Sequence, residues 1–218
     1  YQLTHNQKPD IIVDRELSLI YINKLVDIFW DKLKNPPNGF ERYVVHGSAT
    51  VKVSEILSLL AHFSQCYYER GIVPAFANGF QQTLYNVFLS YAEPGDYSQK
   101  LTVHNDNRGY LFEVVKQENG SQMFFSTTKP GVVRGNHYHT RKIEKFCVVS
   151  GQAVIRLRRI GTDKVIEYCV SGEDPAVIEI PIFYTHNIAN VGAGDLYTLF
   201  WANEVYDPDD GDTFYEKV

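Results

Sequence analysis

One stretch constrains this chain more than any other: Gly131-x5-His137-x-His139-x4-Glu144-x6-Gly151. In an extended segment the side-chain period is two, so His137 and His139 project to the same face. The residues Thr140 to Ile143 suffice for a turn that brings Glu144 back beside them on the next strand. Phe146 and Val148 then share the face of Glu144 and wall the same space with apolar surface. Neutral imidazoles suit Zn, Fe, Ni and Cu, and a carboxylate added to them completes a divalent site. A second stretch, Pro181-x4-His186-x3-Asn190, reads as strand–turn–strand and brings in a third imidazole. The expected metal ligands are therefore His137, His139, Glu144 and His186.

The surroundings of these residues are β-prone. From Leu101 onward, short runs alternate with Gly, Asn and Asp turns. Examples are Gly109–Val115, Gln122–Ser126, Lys145–Val149, Ala153–Leu157, Val165–Tyr168, Ala176–Ile180 and Leu196–Trp201. Runs at this near-regular spacing predict a sandwich or small barrel. The texture changes near Glu93-Pro-Gly-Asp96, which places a domain boundary at about residue 95, with 1–94 before it and 95–218 after. The first part reads as α+β. Leu17–Ile22 is a short β-prone run, and Asn23 offers an N-cap to a helix carrying Val26, Phe29 and Leu33. Arg42–His46 is a strand candidate and Thr50–Val53 a β-branched turn region. Ser54 offers a cap to a helix whose face includes Ile56, Leu59, Leu60 and Phe63. Phe76–Tyr91 is a further helix candidate. His5, His46 and His62 stand singly there and read as packed or surface residues.

Composition excludes several classes. The net charge of −5, with no Lys/Arg stripe, argues against a nucleic-acid footprint. No apolar run is long enough to span a bilayer, and no basic-then-apolar segment opens the chain. Cys66, Cys147 and Cys169, an odd and sparse set without CxxC spacing, read as reduced, buried thiols of a cytoplasmic protein. The acidic run Asp207–Asp212 faintly resembles a calcium loop, but its spacing and missing terminal Glu favour a solvated turn.

Both histidine stretches resemble the two cupin motifs. The first matches at every spacing; the second departs only in having Phe183 where the usual Gly stands, which bears on the turn geometry. A cupin is a jelly-roll β-barrel. The likeness extends through Lys129-Pro-Gly131, Gly135–His139, Glu144–Gly151, Val165–Tyr168, Val170–Gly172, Tyr184–Ile188, Asn203-Glu204 and Asp207-Pro208. These segments resemble the C-terminal domain of the bifunctional capsular-polysaccharide epimerase/reductases of UDP-N-acetyl-L-fucosamine synthesis. Tyr21–Asp27 and Thr50–Ile56 resemble the end of the extended short-chain reductase domain of those enzymes. No GxxGxxG fingerprint and no YxxxK pair is present, and the chain starts at Tyr1 without Met. The expectation is a C-terminal fragment, holding a Rossmann-type reductase remnant and a cupin.

The resemblance implies C3 epimerisation of a UDP-4-keto-6-deoxy-2-acetamido-hexose by the cupin, with NADPH reducing C4 only in the full-length enzyme. It implies zinc, although the ligand set accepts Fe, Mn or Ni, and it implies a homodimer. Tyr184 and Lys142 are the candidate bases. Arg134 and Arg156 are the candidates for holding the diphosphate as charge-assisted donors. For each of these four, a packed or solvent-facing role is the competing reading. Two other functions stay open: an iron-dependent cupin dioxygenase, and a non-catalytic cupin that binds a sugar.

Overall fold

A computed structural model describes all residues from Tyr1 to Val218. They form two compact units, Tyr1–Ser98 and Gln99–Val218.

In the first unit, strand β1 (Glu16–Leu19) pairs antiparallel with β2 (Ala49–Lys52). The helices are α1 (Ile22–Lys34), α2 (Val53–Ser64) and α3 (Gly79–Leu89). Phe63 of α2 is fully buried against Tyr85 and Phe88 of α3, with the Phe63 and Tyr85 rings edge-on at 5.2 Å. Asn78 caps α3 by accepting from the Gln81 N–H at 3.1 Å. The other expected caps differ. Asn23 lies inside α1, whose cap position is Tyr21, and Ser54 lies inside α2. Ser54 instead donates its N–H and its hydroxyl to the Asp14 carboxylate, each at 2.9 Å. Arg42–His46 forms no strand: no neighbouring segment forms a ladder with it. The apolar positions of α1 do fall at helical spacing. None is buried, however, and Phe29, Trp30 and Leu33 are more than half exposed. An apolar stripe of that size is more than a solvated helix ordinarily shows.

The second unit is an antiparallel jelly-roll barrel. One sheet has the order β10-β7-β12-β5-β4-β3 and the other β13-β6-β11-β8-β9. The strands of the first are β3 (His104–Asp106), β4 (Gly109–Lys116), β5 (Gln122–Thr128), β7 (Glu144–Ser150), β10 (Val177–Ile180) and β12 (Leu196–Ala202). Those of the second are β6 (Val133–Tyr138), β8 (Gln152–Arg159), β9 (Val165–Ser171), β11 (Tyr184–Asn190) and β13 (Phe214–Tyr215). The two inner faces share one core. Phe146 and Val148 of β7 meet Ile155 and Leu157 of β8, Ile188 of β11 and Leu196 of β12. Strict alternation along β8 buries Ala153, Ile155 and Leu157 and turns Arg156 outward. Of the cysteines, Cys66 is buried as expected, but Cys169 lies exposed on β9.

Candidate metal centre

The site is assembled at one end of the barrel from three strands and a turn. β6 and β11 pair so that His137 stands directly opposite His186. Their rings meet edge-on with centroids 4.5 Å apart. His139 follows immediately after β6, and the turn through Thr140 and Arg141 leads to Glu144, the first residue of β7. The ligand atoms of His137, His139, Glu144 and His186 all lie within 4.8 Å of one another. Glu144 Oε2 is 3.3 Å from His139 Nε2 and 3.1 Å from His186 Nε2. Donor atoms bound at about 2.0–2.2 Å to one ion stand roughly 3.0–3.5 Å apart, so the observed spacing is that of a ligand set.

A second observation concerns hydrogen bonding. His139 Nε2, His186 Nε2 and Glu144 Oε2 are buried and make no hydrogen bond of acceptable geometry. Such groups cost free energy unless something satisfies them. The far ring nitrogens are engaged. His139 Nδ1 lies 2.5 Å from the carbonyl of Asp212, and His186 Nδ1 lies 3.2 Å from that of Tyr184. A carbonyl can only accept, so each Nδ1 carries the proton and each Nε2 presents a lone pair to the cluster. The donor set thus fits a divalent ion.

Electrostatics agree with that fit. Burial pushes the His137 imidazole down to about 4, helped by His186 beside it, so it is neutral at ordinary pH. Burial opposes the charge on Glu144, but His139 and His186 outweigh it and hold the carboxyl well below its usual range. Burial likewise opposes a charge on His139, yet the Glu144 carboxylate prevails and raises its pKa above the ordinary value. One pH prediction follows. In the metal-free protein His139 holds a proton below its raised pKa, and an incoming ion must displace it. Affinity for Zn2+ should therefore rise about tenfold per pH unit below that pKa and level off above it. Calorimetric titration with Zn2+ from pH 5.5 to 8.5 checks this, and a flat profile across that range would contradict it.

The turn between His139 and Glu144 is held from the chain's last segment. The Asp212 carboxylate accepts N–H bonds from Thr140, Arg141 and Lys142, at 3.0, 3.0 and 2.9 Å, and the Thr140 hydroxyl at 2.6 Å. Burial works against its charge, but these donors keep its pKa well below the usual carboxylate value. Asp212 is 6% exposed, which corrects the expectation of a solvated turn at this residue. The signal for it was absent from the local sequence, because its partners lie some seventy residues away.

Two backbone irregularities aim the side chains. Gly135 at φ 99° and Asn136 at φ 63° interrupt β6, and the β6–β11 register slips there. A bulge of this kind moves the alternation by one residue, so Arg134 and His137 reach the same side despite their odd spacing. A Cβ on Gly135 would lie 2.7 Å from the His186 carbonyl oxygen and 2.9 Å from Asn187 Cα, which only glycine avoids. Phe183, the departure from the second motif, adopts φ 61°, the conformation glycine would take without cost. Backbone bonds hold it on both sides: Phe183 N–H donates to the His139 carbonyl at 2.8 Å, and Ile160 N–H donates to the Phe183 carbonyl at 2.9 Å. The turn is thus kept, with a bulky residue bearing the strain.

A cavity of about 470 Å3 opens over the cluster. Lys142 and Arg134 line it; Tyr184 and Arg156 do not. Lys142 is 4% exposed, and its Nζ donates to the Gly211 carbonyl at 2.9 Å. Arg134 donates to Thr128 Oγ1 at 3.2 Å and the Thr127 carbonyl at 3.1 Å. Tyr184 packs against the apolar core. Arg156 pairs on the outer face with Glu167 at 2.5 Å. Sequence reasoning missed Arg108, Gln122, Phe124, Ser126 and Tyr206, which also line the cavity. The period-two row Gln122–Phe124–Ser126 was visible, but which face of β5 turns inward was not.

Residues 104–214 match the polysaccharide biosynthesis C-terminal domain family. The chain is 32% identical over 200 residues to a UDP-2-acetamido-2,6-beta-L-arabino-hexul-4-ose reductase of Pseudomonas aeruginosa, covering 91% of this chain and 53% of that protein. It is 26% identical over 124 residues to the spore coat polysaccharide biosynthesis protein SpsL of Bacillus subtilis, covering 52% of this chain and 82% of that one. Among solved structures, the capsular polysaccharide assembling protein CapF of Staphylococcus aureus superposes on the whole chain. The TM-score is 0.84 at 36% identity, and 59% of that protein is covered. The chain thus spans little more than half the length of the Pseudomonas protein and of CapF. With residues 104–214, half of the chain and nearly all of the motif-bearing barrel, matched, this chain belongs to the polysaccharide biosynthesis C-terminal domain family.

Proposed function

We propose that the barrel epimerises C3 of a UDP-4-keto-6-deoxy-2-acetamido-hexose on a divalent ion, zinc by preference, during surface-polysaccharide precursor synthesis. The carrying observation is the convergence of His137, His139, Glu144 and His186, with three of their buried donor atoms left without hydrogen bonds. The similarity to a hexulose reductase and to CapF supports the substrate class. Residues 1–94 are read as part of a reductase domain whose C4 reduction with NADPH belongs to the longer protein. The apolar stripe on α1 is the kind of surface a larger domain covers.

The chemistry is a proton removal and a return. The C3–H bond next to the C4 ketone breaks, its electron pair forms the enolate, and a proton then adds to C3 from the opposite face. His137, His139, Glu144 and His186 would hold a divalent ion, which would supply positive charge for the ketone oxygen. Lys142, buried and at the cavity wall, carries the amine that takes the C3 proton, and the proton added on the opposite face comes from solvent, which the wash-in experiment reads. Phe146 and Phe200 keep water from the reacting centre and strengthen each polar contact inside. Arg134 offers a guanidinium to the diphosphate.

The decisive experiment combines elemental analysis of the purified chain with deuterium wash-in at C3 of the keto-sugar nucleotide. One divalent ion per barrel and exchange well above the solvent rate are expected. Stoichiometric iron would point to a dioxygenase, and exchange at the solvent rate with metal bound would reduce the barrel to a binding module. No helix is long and apolar enough to cross a membrane.

A further inference from the structure

The inner face of the six-stranded sheet is laid out in rows that the cross-strand register defines. Glu144, Ala202 and Gln122 form one row across β7, β12 and β5. Phe146, Phe200 and Phe124 form the next, and Val148, Thr198 and Ser126 the third. Neighbouring strands lie about 4.8 Å apart, so Gln122 stands roughly 10 Å along the row from Glu144. The residue between them is alanine, which leaves the space above it open. The middle row is aromatic, with the Phe146 and Phe200 rings edge-on at 4.5 Å.

Gln122 is 2% exposed and Ser126 is fully buried. Both line the cavity. Gln122 Oε1 and Ser126 Oγ have no hydrogen-bond partner in the protein. Polar groups in that state lower stability, and an apolar side chain of the same shape would remove the cost. Their position in a ligand-sized cavity, on either side of an aromatic side chain, indicates what they are for. An apolar floor flanked by inward hydrogen-bonding groups suits a saturated ring with one flat C–H face and polar substituents at its edge.

We propose that β5 is the sugar-reading wall of the cavity, in which Gln122 and Ser126 bind the hydroxyl or acetamido groups of a hexosamine ring lying over Phe124 and Phe200. This deepens the reading of the barrel as a sugar-nucleotide epimerase and rests on it for the ligand class. Gln122 Oε1 accepts an N–H or O–H from the ring, and Ser126 Oγ completes a second bond. Neither residue belongs to the set of four converging donors, so metal content should not depend on them.

The test uses the whole chain loaded with zinc, with UDP-N-acetylglucosamine and UDP as probes in calorimetric titrations. The wild type should bind the sugar nucleotide more tightly than UDP. Gln122→Met, of similar shape but without the acceptor, should cut that preference about tenfold, the weight of a hydrogen bond to a buried group. Affinity for UDP and zinc content should not change. The melting temperature of Gln122→Met should equal or exceed that of the wild type. Ser126→Ala, a smaller change, should lower the preference in the same direction. An unchanged preference in both variants, or an equal loss for UDP, would overturn the assignment. So would a fall in melting temperature with binding intact, which marks a structural glutamine, or a wild type that binds both probes alike. A chain without zinc would instead defeat the metal-centred reading, and the comparison of probes would still decide the role of β5.

Discussion

His139→Ala should abolish both Zn2+ binding and C3 exchange. The substitution removes one of four converging donors and the contact that ties the imidazole to the Asp212 carbonyl. Losing a partner outside the ligand set typically costs 10–100-fold in metal affinity, so losing a ligand should cost at least ~100-fold. Equilibrium dialysis against buffered Zn2+ measures the first effect and deuterium wash-in the second. Folding of the variant is checked by near-ultraviolet circular dichroism, because the Asp212 carboxylate still holds the turn through Thr140, Arg141 and Lys142. A folded variant that keeps a stoichiometric ion shows that the ligand assignment is wrong.

Lys142→Met separates chemistry from metal binding. General acid–base groups contribute about 10²–10⁴-fold, and exchange should fall by that factor. Zinc should stay at one per barrel. The turn is held by the backbone N–H of Lys142, which donates to Asp212 at 2.9 Å and survives any change of side chain. The bond lost is the one from Nζ to the Gly211 carbonyl. Exchange within threefold of the wild type, with metal retained, would remove Lys142 from the reaction. Loss of the ion would make it a support for the turn.

Several placements could not be read from the sequence, for one kind of reason. Arg156 alternates with Ile155 and Leu157, so its direction depends on which face of β8 meets the core. Tyr184 shares a strand with His186, yet it sits against the apolar core and away from the cavity. Arg134 has the wrong parity to stand with His137, and only the bulge at Gly135 and Asn136 brings it there. Arg42–His46 has strand-forming residues and no neighbour to pair with. In each case the local residues permit two outcomes, and packing against distant segments selects one.

The four residues that converge at the cavity could be named from the chain alone, because the arrangement of three of them is largely a local matter. A period of two sets His137 and His139 on one face, and a short turn returns Glu144 toward them. Even the trace of His186 was readable, since its proline, histidine and asparagine keep a fixed spacing. The tertiary structure decided everything whose partner is far along the chain. It seated Asp212 beneath the turn that precedes Glu144, turned Gln122 and Ser126 of β5 inward, and set Arg156 outside. The physical reason is that hydrogen bonds and burial between segments depend on register and on which face is covered, and neither is a property of any short stretch of residues.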